Sequence, residues 1–203
     1  MGSGLMALQQ DTEFLVKEGG RINKIINGMR KLSVTSSDRR QCGMHEILEE
    51  CSLIMADLYN QKNCQILADF HSEEDLVDVD RDEMIQAITN LMRNSLQAMD
   101  EAYDSAAGKG ILRIVSAKVG SELQIYFEDN GVGIKQDHQQ KLFQGQFSTK
   151  NPDHGTGLGL GISRRFIRSS GGDIEFVSSI PKQKTVFMIR MPLMQAKSKG
   201  AAA

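Results

Sequence analysis

The stretch ELQIYFEDNGVGI, from Glu122 to Ile134, decides how the chain is read. Residues 122–128 (ELQIYFE) have the make-up of a strand. Asp129-Asn130-Gly131-Val132-Gly133 then closes that strand. Paired glycines let backbone turn sharply and come close to a planar ligand. A carboxylate at a strand end can accept a hydrogen bond from an exocyclic amine, which would select adenine over guanine. The same five residues also suit a tight turn with an Asx cap.

Working towards the N-terminus, residues 111–118 (ILRIVSAK) form a second strand, turned into the first at Gly120-Ser121. Before them a loop over 102–110, rich in Ala, Gly and Asp, follows a helix predicted from about 81 to 101. Asp80 can cap that helix, and Met84, Ile88, Leu91, Met92 and Met99 are its apolar positions. Asn90 and Asn94 lie four residues apart on it and share a face. The apolar stripe sets them at the edge of a cleft. Asparagine is a poor interior helix residue, so two at this spacing call for a reason. Plain solvation is one. Another is that an amide oxygen suits Mg²⁺ where phosphates already supply negative charge.

Towards the C-terminus, about 25 residues (131–155) show little periodicity beyond a short helix near 136–143, and a loop that long is usually functional. It contains Phe143-Gln144-Gly145-Gln146-Phe147-Ser148-Thr149-Lys150. Two aromatics can anchor such a loop, and Lys150 can meet a terminal phosphate as a point charge; an ordinary exposed loop reads the same way. Gly155-Thr156-Gly157-Leu158-Gly159-Leu160-Gly161 places glycine at every second position and opens a helix predicted over 158–169. Helix N-terminal amides and glycine turns bind phosphate well. The spacing is neither the dinucleotide fingerprint nor a Walker A loop. Gly171-Gly172 stops the helix, and strands over 173–178 and 185–191 complete the pattern.

Upstream, residues 5–33 read as one helix, with Leu8, Leu15, Ile22 and Met29 every seven residues. Gly19-Gly20 inside it costs roughly 1 kcal/mol per glycine. A dimer seam and a helix packed on its own domain both fit. A polar linker follows over 33–43, then a helix from about His45 to Tyr59 and strands over 64–70 and 76–79. The order βαββ-loop-αββ predicts an α/β (α+β) two-layer sandwich, a mixed sheet with helices on one face, preceded by one long helix.

Composition narrows the function. Hydrophobic residues make up 40% and charged residues 25% of 203, as in globular proteins. A net charge of −2 gives no reason to expect nucleic acid, whose non-specific binding needs a basic face. Cys42, Cys51 and Cys64 are odd in number and form no C-x-x-C pair, so neither disulfides nor a zinc site is expected. No apolar run approaches the roughly 20 residues needed to cross a bilayer, and no signal-peptide pattern opens the chain. A reducing cytoplasm is the expected setting.

Taken in order, the asparagine helix, the strand with D-x-G-x-G, the F…F-S-T-K loop and G-T-G-L-G-L-G resemble the GHKL ATPases. Within them they resemble the nitrogen-regulation type of sensor histidine kinase. The N box is similar to Gln86–Ala98, the G1 box to Asp129–Ile134, the F box to Leu142–Lys150 and the G2 box to Gly155–Gly161. The resemblance implies a Bergerat-type ATP-binding fold with ATP and Mg²⁺ as cofactors. Asn94 would bind Mg²⁺, Asn90 would support the phosphates, and Asp129 would take the adenine amine. Gly131, Gly133 and Ile134 would shape the base pocket, which Thr185 closes. Phe143 and Phe147 would anchor a lid carrying Thr149 and Lys150, which with Asn94 form the catalytic set. Gly155, Thr156, Gly157, Leu158, Gly159 and Leu160 would hold the lid's far end at the phosphate tail.

The resemblance also implies partners: ATP or ADP, a response-regulator receiver domain, and a second copy in the full-length protein. Nucleic acid and membrane contact are not expected of this segment. The F box departs from the family in having Gly145 and Gln146 where a proline and an aromatic usually stand. No acceptor-histidine box is present; residues 5–34 resemble only the second helix of the dimerisation hairpin. His45-Glu46 looks superficially like an acceptor, yet it opens the first helix of the ATP-binding domain. The expected divisions are 1–4 an expression scar, 5–34 the hairpin helix, 35–43 linker, 44–193 the catalytic domain and 194–203 a disordered tail. The competing readings are a GHKL ATPase of another kind, or a dimerising interaction module with a vestigial site.

Overall fold

The computed structural model describes residues 38–103, 109–143, 159–181 and 183–194. The chain divides into two compact units, Met1–Ser37 and Asp38–Ala203, and every described residue belongs to the second. The expected helix over 5–33 therefore lies outside the described residues. So do Phe147, Thr149, Lys150, Gly155, Thr156, Gly157 and Leu158.

In chain order the described elements are β1 (Arg39–Gly43), α1 (Met44–Gln61), β2 (Cys64–Phe70), β3 (Leu76–Asp80), α2 (Arg81–Ala102), β4 (Gly110–Val119), β5 (Glu122–Asp129), α3 (Gln136–Gln139), α4 (Gly159–Ser169), β6 (Asp173–Ile180) and β7 (Lys184–Pro192). A mixed sheet runs β2-β4-β5-β7-β6. Only β2 and β4 are parallel, joined by a crossover through α2; the other pairs are antiparallel. Leu112, Ile114, Leu123, Ile125, Phe127, Ile189 and Met191 face one side and are buried there. Helices α1, α2 and α4 cover that side, α1 against β2, α2 against β4 and β5, and α4 against β6. The other side carries charge ladders, Glu122–Arg190–Glu175 and Glu128–Lys184. This is the α/β sandwich that the element order predicts.

Helix α2 begins where expected, because Asp80 Oδ1 accepts the Glu83 N–H at 3.2 Å. Its buried stripe is Met84, Ala87, Ile88, Leu91, Met92, Ser95, Leu96 and Met99. Helix α1 ends at Gln61, and Asn63, two residues on, takes a left-handed φ of 51°, a conformation asparagine tolerates.

Two expectations need correction. Arg39–Gly43 falls in the expected linker but forms strand β1, paired antiparallel with β3 in a separate two-stranded sheet. Its sequence, RRQCG, has no apolar alternation to betray it. The ladder holds it, helped by Arg39, which bonds both the Asp78 backbone oxygen and its carboxylate at 3.1 Å. Met194, placed in the tail expected over 194–203, instead donates its N–H to Leu76 O at 2.8 Å.

Asp173 ties α4 to β6. Burial raises its carboxyl, but hydrogen bonds from Arg164, Arg168 and the Ile174 N–H outweigh that and hold it well below the usual carboxylate range. Each arginine meets it through Nε and a terminal nitrogen at 2.9–3.2 Å. Because the folded-state value is depressed, this stabilisation is present above pH about 4 and is lost as pH falls through the folded-state value. Asp173→Asn is therefore expected to lower stability by about 1–3 kcal/mol at pH 7. Urea melts at pH 7 and pH 3 check this, and the difference between the proteins should narrow at the lower pH.

Candidate nucleotide site

The end of β5 and the edge of α2 meet at one place. Asp129 is only 3% exposed, and no cation pairs with it among the described residues. Burial pushes its carboxyl up to about 6, against hydrogen bonds from the Gly131 N–H (3.0 Å) and the Ser95 hydroxyl; nearby Glu128 raises it further. A buried, unpaired carboxylate is costly unless something supplies donors, and this combination marks functional sites.

Both glycines of the D-x-G-x-G turn are required by packing. A Cβ on Gly131 would stand 2.6 Å from the Ala98 carbonyl carbon, on the last turns of α2. The Val132 N–H donates to Ala98 O at 3.0 Å, so the turn lies flat on that helix. Gly133 has φ 80°, and a Cβ there would meet Pro181 Cα at 2.7 Å. The turn is thus clamped between α2 and the β6–β7 turn. Asn130 serves the fold: its Oδ1 accepts the Ile111 N–H at 2.7 Å, its Nδ2 donates to Lys109 O, and Tyr103 bonds its carbonyl.

Thr185 is 2% exposed and stands directly opposite Asp129 in the β5–β7 ladder. The Ile134 N–H donates to Ser179 Oγ at 2.8 Å, and Ser179 Oγ lies 3.2 Å from Thr185 Oγ1. Asn90 and Asn94 are half-buried on α2. Asn90 Nδ2 donates to Ser163 Oγ on α4 at 3.4 Å, which leaves its amide oxygen as the available acceptor. Asn94 makes no side-chain hydrogen bond to another described residue. Between them, Tyr59 donates to Met92 O at 2.7 Å and ties this part of α2 to α1.

Phe143 packs edge-on to Phe187, with centroids 6.4 Å apart, beneath the Arg164 guanidinium at 4.7 Å. Leu160 packs on the core. A Cβ on Gly159 would meet nothing within 4 Å, so packing among the described residues does not require glycine there.

Asp129, Gly131, Gly133, Ile134 and Thr185 therefore come together at the end of β5, where Ser95 ties Asp129 to the helix that carries Asn90 and Asn94, and Phe143 lies against α4, whose first residues are Gly159 and Leu160. Sequence reasoning missed Ser95 and Ser179. Ser95 had a signal, being a hydroxyl in the apolar stripe of α2. Ser179 had none, for a reason given below. His45 does not join the site. It stacks on Phe70 at 4.5 Å, and its Nε2 lies 2.8 Å from Ser116 Oγ.

A two-layer sandwich with a buried acceptor at a glycine turn beside paired helix asparagines defines a class of nucleotide-binding ATPase domains. The chain belongs to the histidine kinase-, DNA gyrase B- and HSP90-like ATPases, whose family profile matches residues 79–195, more than half of its length. It is 31% identical over 187 residues to the signal transduction histidine-protein kinase AtoS of Escherichia coli, covering 91% of this chain and 29% of that protein. It is 35% identical over 147 residues to sporulation kinase B of Bacillus subtilis, covering 72% of this chain and 32% of that protein. The chain thus spans about a third of the length of these curated relatives. Among solved structures, the nucleotide-free catalytic domain of histidine kinase ThkA superposes with a TM-score of 0.64 at 24% identity, covering 76% of this chain and 95% of that one. ThkA in complex with the response regulator TrrA gives 0.67 at 20% identity, covering 92% and 52%. No helix among the described residues is long and apolar enough to cross a membrane.

Proposed function

We propose that residues 44–193 are the ATP-binding catalytic domain of a two-component sensor histidine kinase. The observation that carries this reading is the buried carboxylate of Asp129, paired with no cation among the described residues and bonded by Ser95 of the helix that also carries Asn90 and Asn94. In this reading Asp129 accepts the adenine amine, and the Gly131–Gly133 turn presents its backbone to the ring. Asn94, whose amide oxygen is available, holds Mg²⁺, and Asn90 supports the phosphates. A cation held there would supply charge neutralisation at the phosphates. Thr149 and Lys150 would meet those phosphates, and Gly155, Gly157 and Gly159 would hold the lid's far end against the phosphate tail. Positioning and charge neutralisation then serve in-line attack by a histidine. The phosphoryl group passes from there to an aspartate of a receiver domain, the full-length protein working as a homodimer with this segment in the cytoplasm, either free or as the cytoplasmic part of a membrane-bound sensor, and with residues 5–34 contributing one helix of its dimerisation hairpin.

Calorimetry with Mg²⁺ and a non-hydrolysable ATP analogue tests the proposal. The unsubstituted chain should bind, and Asn94→Ala should weaken Mg²⁺-dependent binding at least about 100-fold while leaving Mg²⁺-free binding within about threefold. Equal affinity of the two proteins in Mg²⁺ would remove Asn94 from the site. No nucleotide binding by the unsubstituted chain would favour a dimerising interaction module instead.

A further inference from the structure

Three side chains form a row on the inner face of the sheet: Asp129 on β5 opposes Thr185 on β7, which opposes Ser179 on β6. The third member is there because β6 is irregular. Counting alternate residues from buried Ile174 through Phe176 would turn Ser178 inward and Ser179 outward. The ladder instead shifts between Phe176 and Ser178, leaving Val177 unpaired and 49% exposed. Ser178 then pairs with Val186, and Ser179 comes opposite Thr185. Bulges of this kind re-aim side chains beside active sites.

A hydroxyl has one proton and two acceptor lone pairs. One lone pair of Ser179 is taken by the Ile134 N–H, and its proton has Thr185 Oγ1 as an acceptor 3.2 Å away. We propose that Ser179 is a positioning residue for base recognition. By donating to Thr185 Oγ1 it directs the Thr185 proton towards the ring nitrogen beside the adenine amine. Its bond to the Ile134 N–H holds the Gly131–Gly133 turn against the same hairpin. Asp129 and Thr185 then present an acceptor beside a donor. That is the complement of adenine's amine and neighbouring ring nitrogen, and a mismatch for guanine's carbonyl and N–H. The inference rests on the adenine reading of the site.

The test titrates ATP and 1-deaza-ATP, in which that ring nitrogen is a C–H, into the unsubstituted chain and three variants. Ser179→Ala should weaken ATP by about tenfold more than it weakens 1-deaza-ATP, since loss of the Ile134 bond affects both ligands but loss of the directed Thr185 proton acts only through that nitrogen. Ser179→Thr should restore ATP affinity. Ser178→Ala, on the outer face, should change neither ligand. If Ser179→Ala weakens both nucleotides by the same factor, Ser179 is only a loop latch and the proposal is overturned. Should that variant fold poorly, Ser179→Cys, nearly isosteric but a weak donor, gives the same comparison. If the unsubstituted chain binds neither nucleotide, the adenine reading itself fails.

Discussion

Asp129→Asn is expected to abolish nucleotide binding and, at the same time, to make the ligand-free domain more stable at neutral pH. The binding loss follows from hydrogen-bond direction. An asparagine keeps its oxygen on the Gly131 N–H and turns its own N–H donors towards the adenine amine, which is also a donor. Loss of a charge-assisted bond together with a buried mismatch should weaken ATP by at least about 100-fold. The stability gain follows from burial. The folded-state carboxyl sits at about 6 against an ordinary 3.8, so holding it ionised in the folded state costs about 3 kcal/mol at high pH. The sign follows from the raised folded-state value. Below pH about 4 both folded and unfolded chains carry a protonated Asp129 and the two proteins should be equally stable. As pH rises through about 6 the unsubstituted domain alone acquires the penalty, and Asp129→Asn should exceed it by about 1–3 kcal/mol at pH 8. Denaturant melts across pH 4–8, with calorimetry at pH 8, check both halves. Retained ATP binding, or a stability difference that does not depend on pH, would remove Asp129 from the role given to it.

Gly131→Ala should be nearly as disabling for binding, and destabilising as well. Its methyl would lie 2.6–2.8 Å from the Ala98 carbonyl carbon, Cβ and oxygen, and two of those atoms are backbone of α2. Nothing there can rotate away, so the turn must lift off the helix and give up the Val132–Ala98 hydrogen bond. Overpacking of this kind costs about 2–3 kcal/mol, a Tm lower by roughly 5–10 °C in a domain of this size. Gly120 is the control. It has φ 62°, but an added Cβ meets nothing within 4 Å. Gly120→Asn should therefore shift Tm by no more than about 2 °C. Thermal melts of the two variants side by side decide whether close approach or turn conformation sets the requirement at Gly131.

The parts of this molecule that can be read from sequence are those where one physical rule acts alone. Helix α2 has a cap at Asp80 and a clean apolar stripe, so its limits and its asparagine face follow directly. The β4–β5 hairpin has long alternating strands and a glycine at the turn. Strand β1 was hidden because its pairing with β3 and an arginine clamp hold five mostly polar residues that bury little. Ser95 and Ser179 are small polar residues on buried faces, and the meaning of each comes from a partner on a different element, Asp129 or Thr185. For Ser179 the usual rule of alternation points to the wrong face.

The consecutive serines on β6 also bear on how this strand tolerates insertions and deletions. If the ladder lost its irregularity, Val177 would pair with Val186 and Ser178 would come opposite Thr185. Deleting either serine gives the same result, with the remaining one opposite Thr185. Deleting Val177 leaves the present pairs in place. Every single-residue deletion from 177 to 179 therefore keeps a hydroxyl beside Thr185. A neighbour that elsewhere in a sheet would be lost to a one-residue slip is here held in duplicate, so the length of β6 can drift while its contribution to the inner row persists.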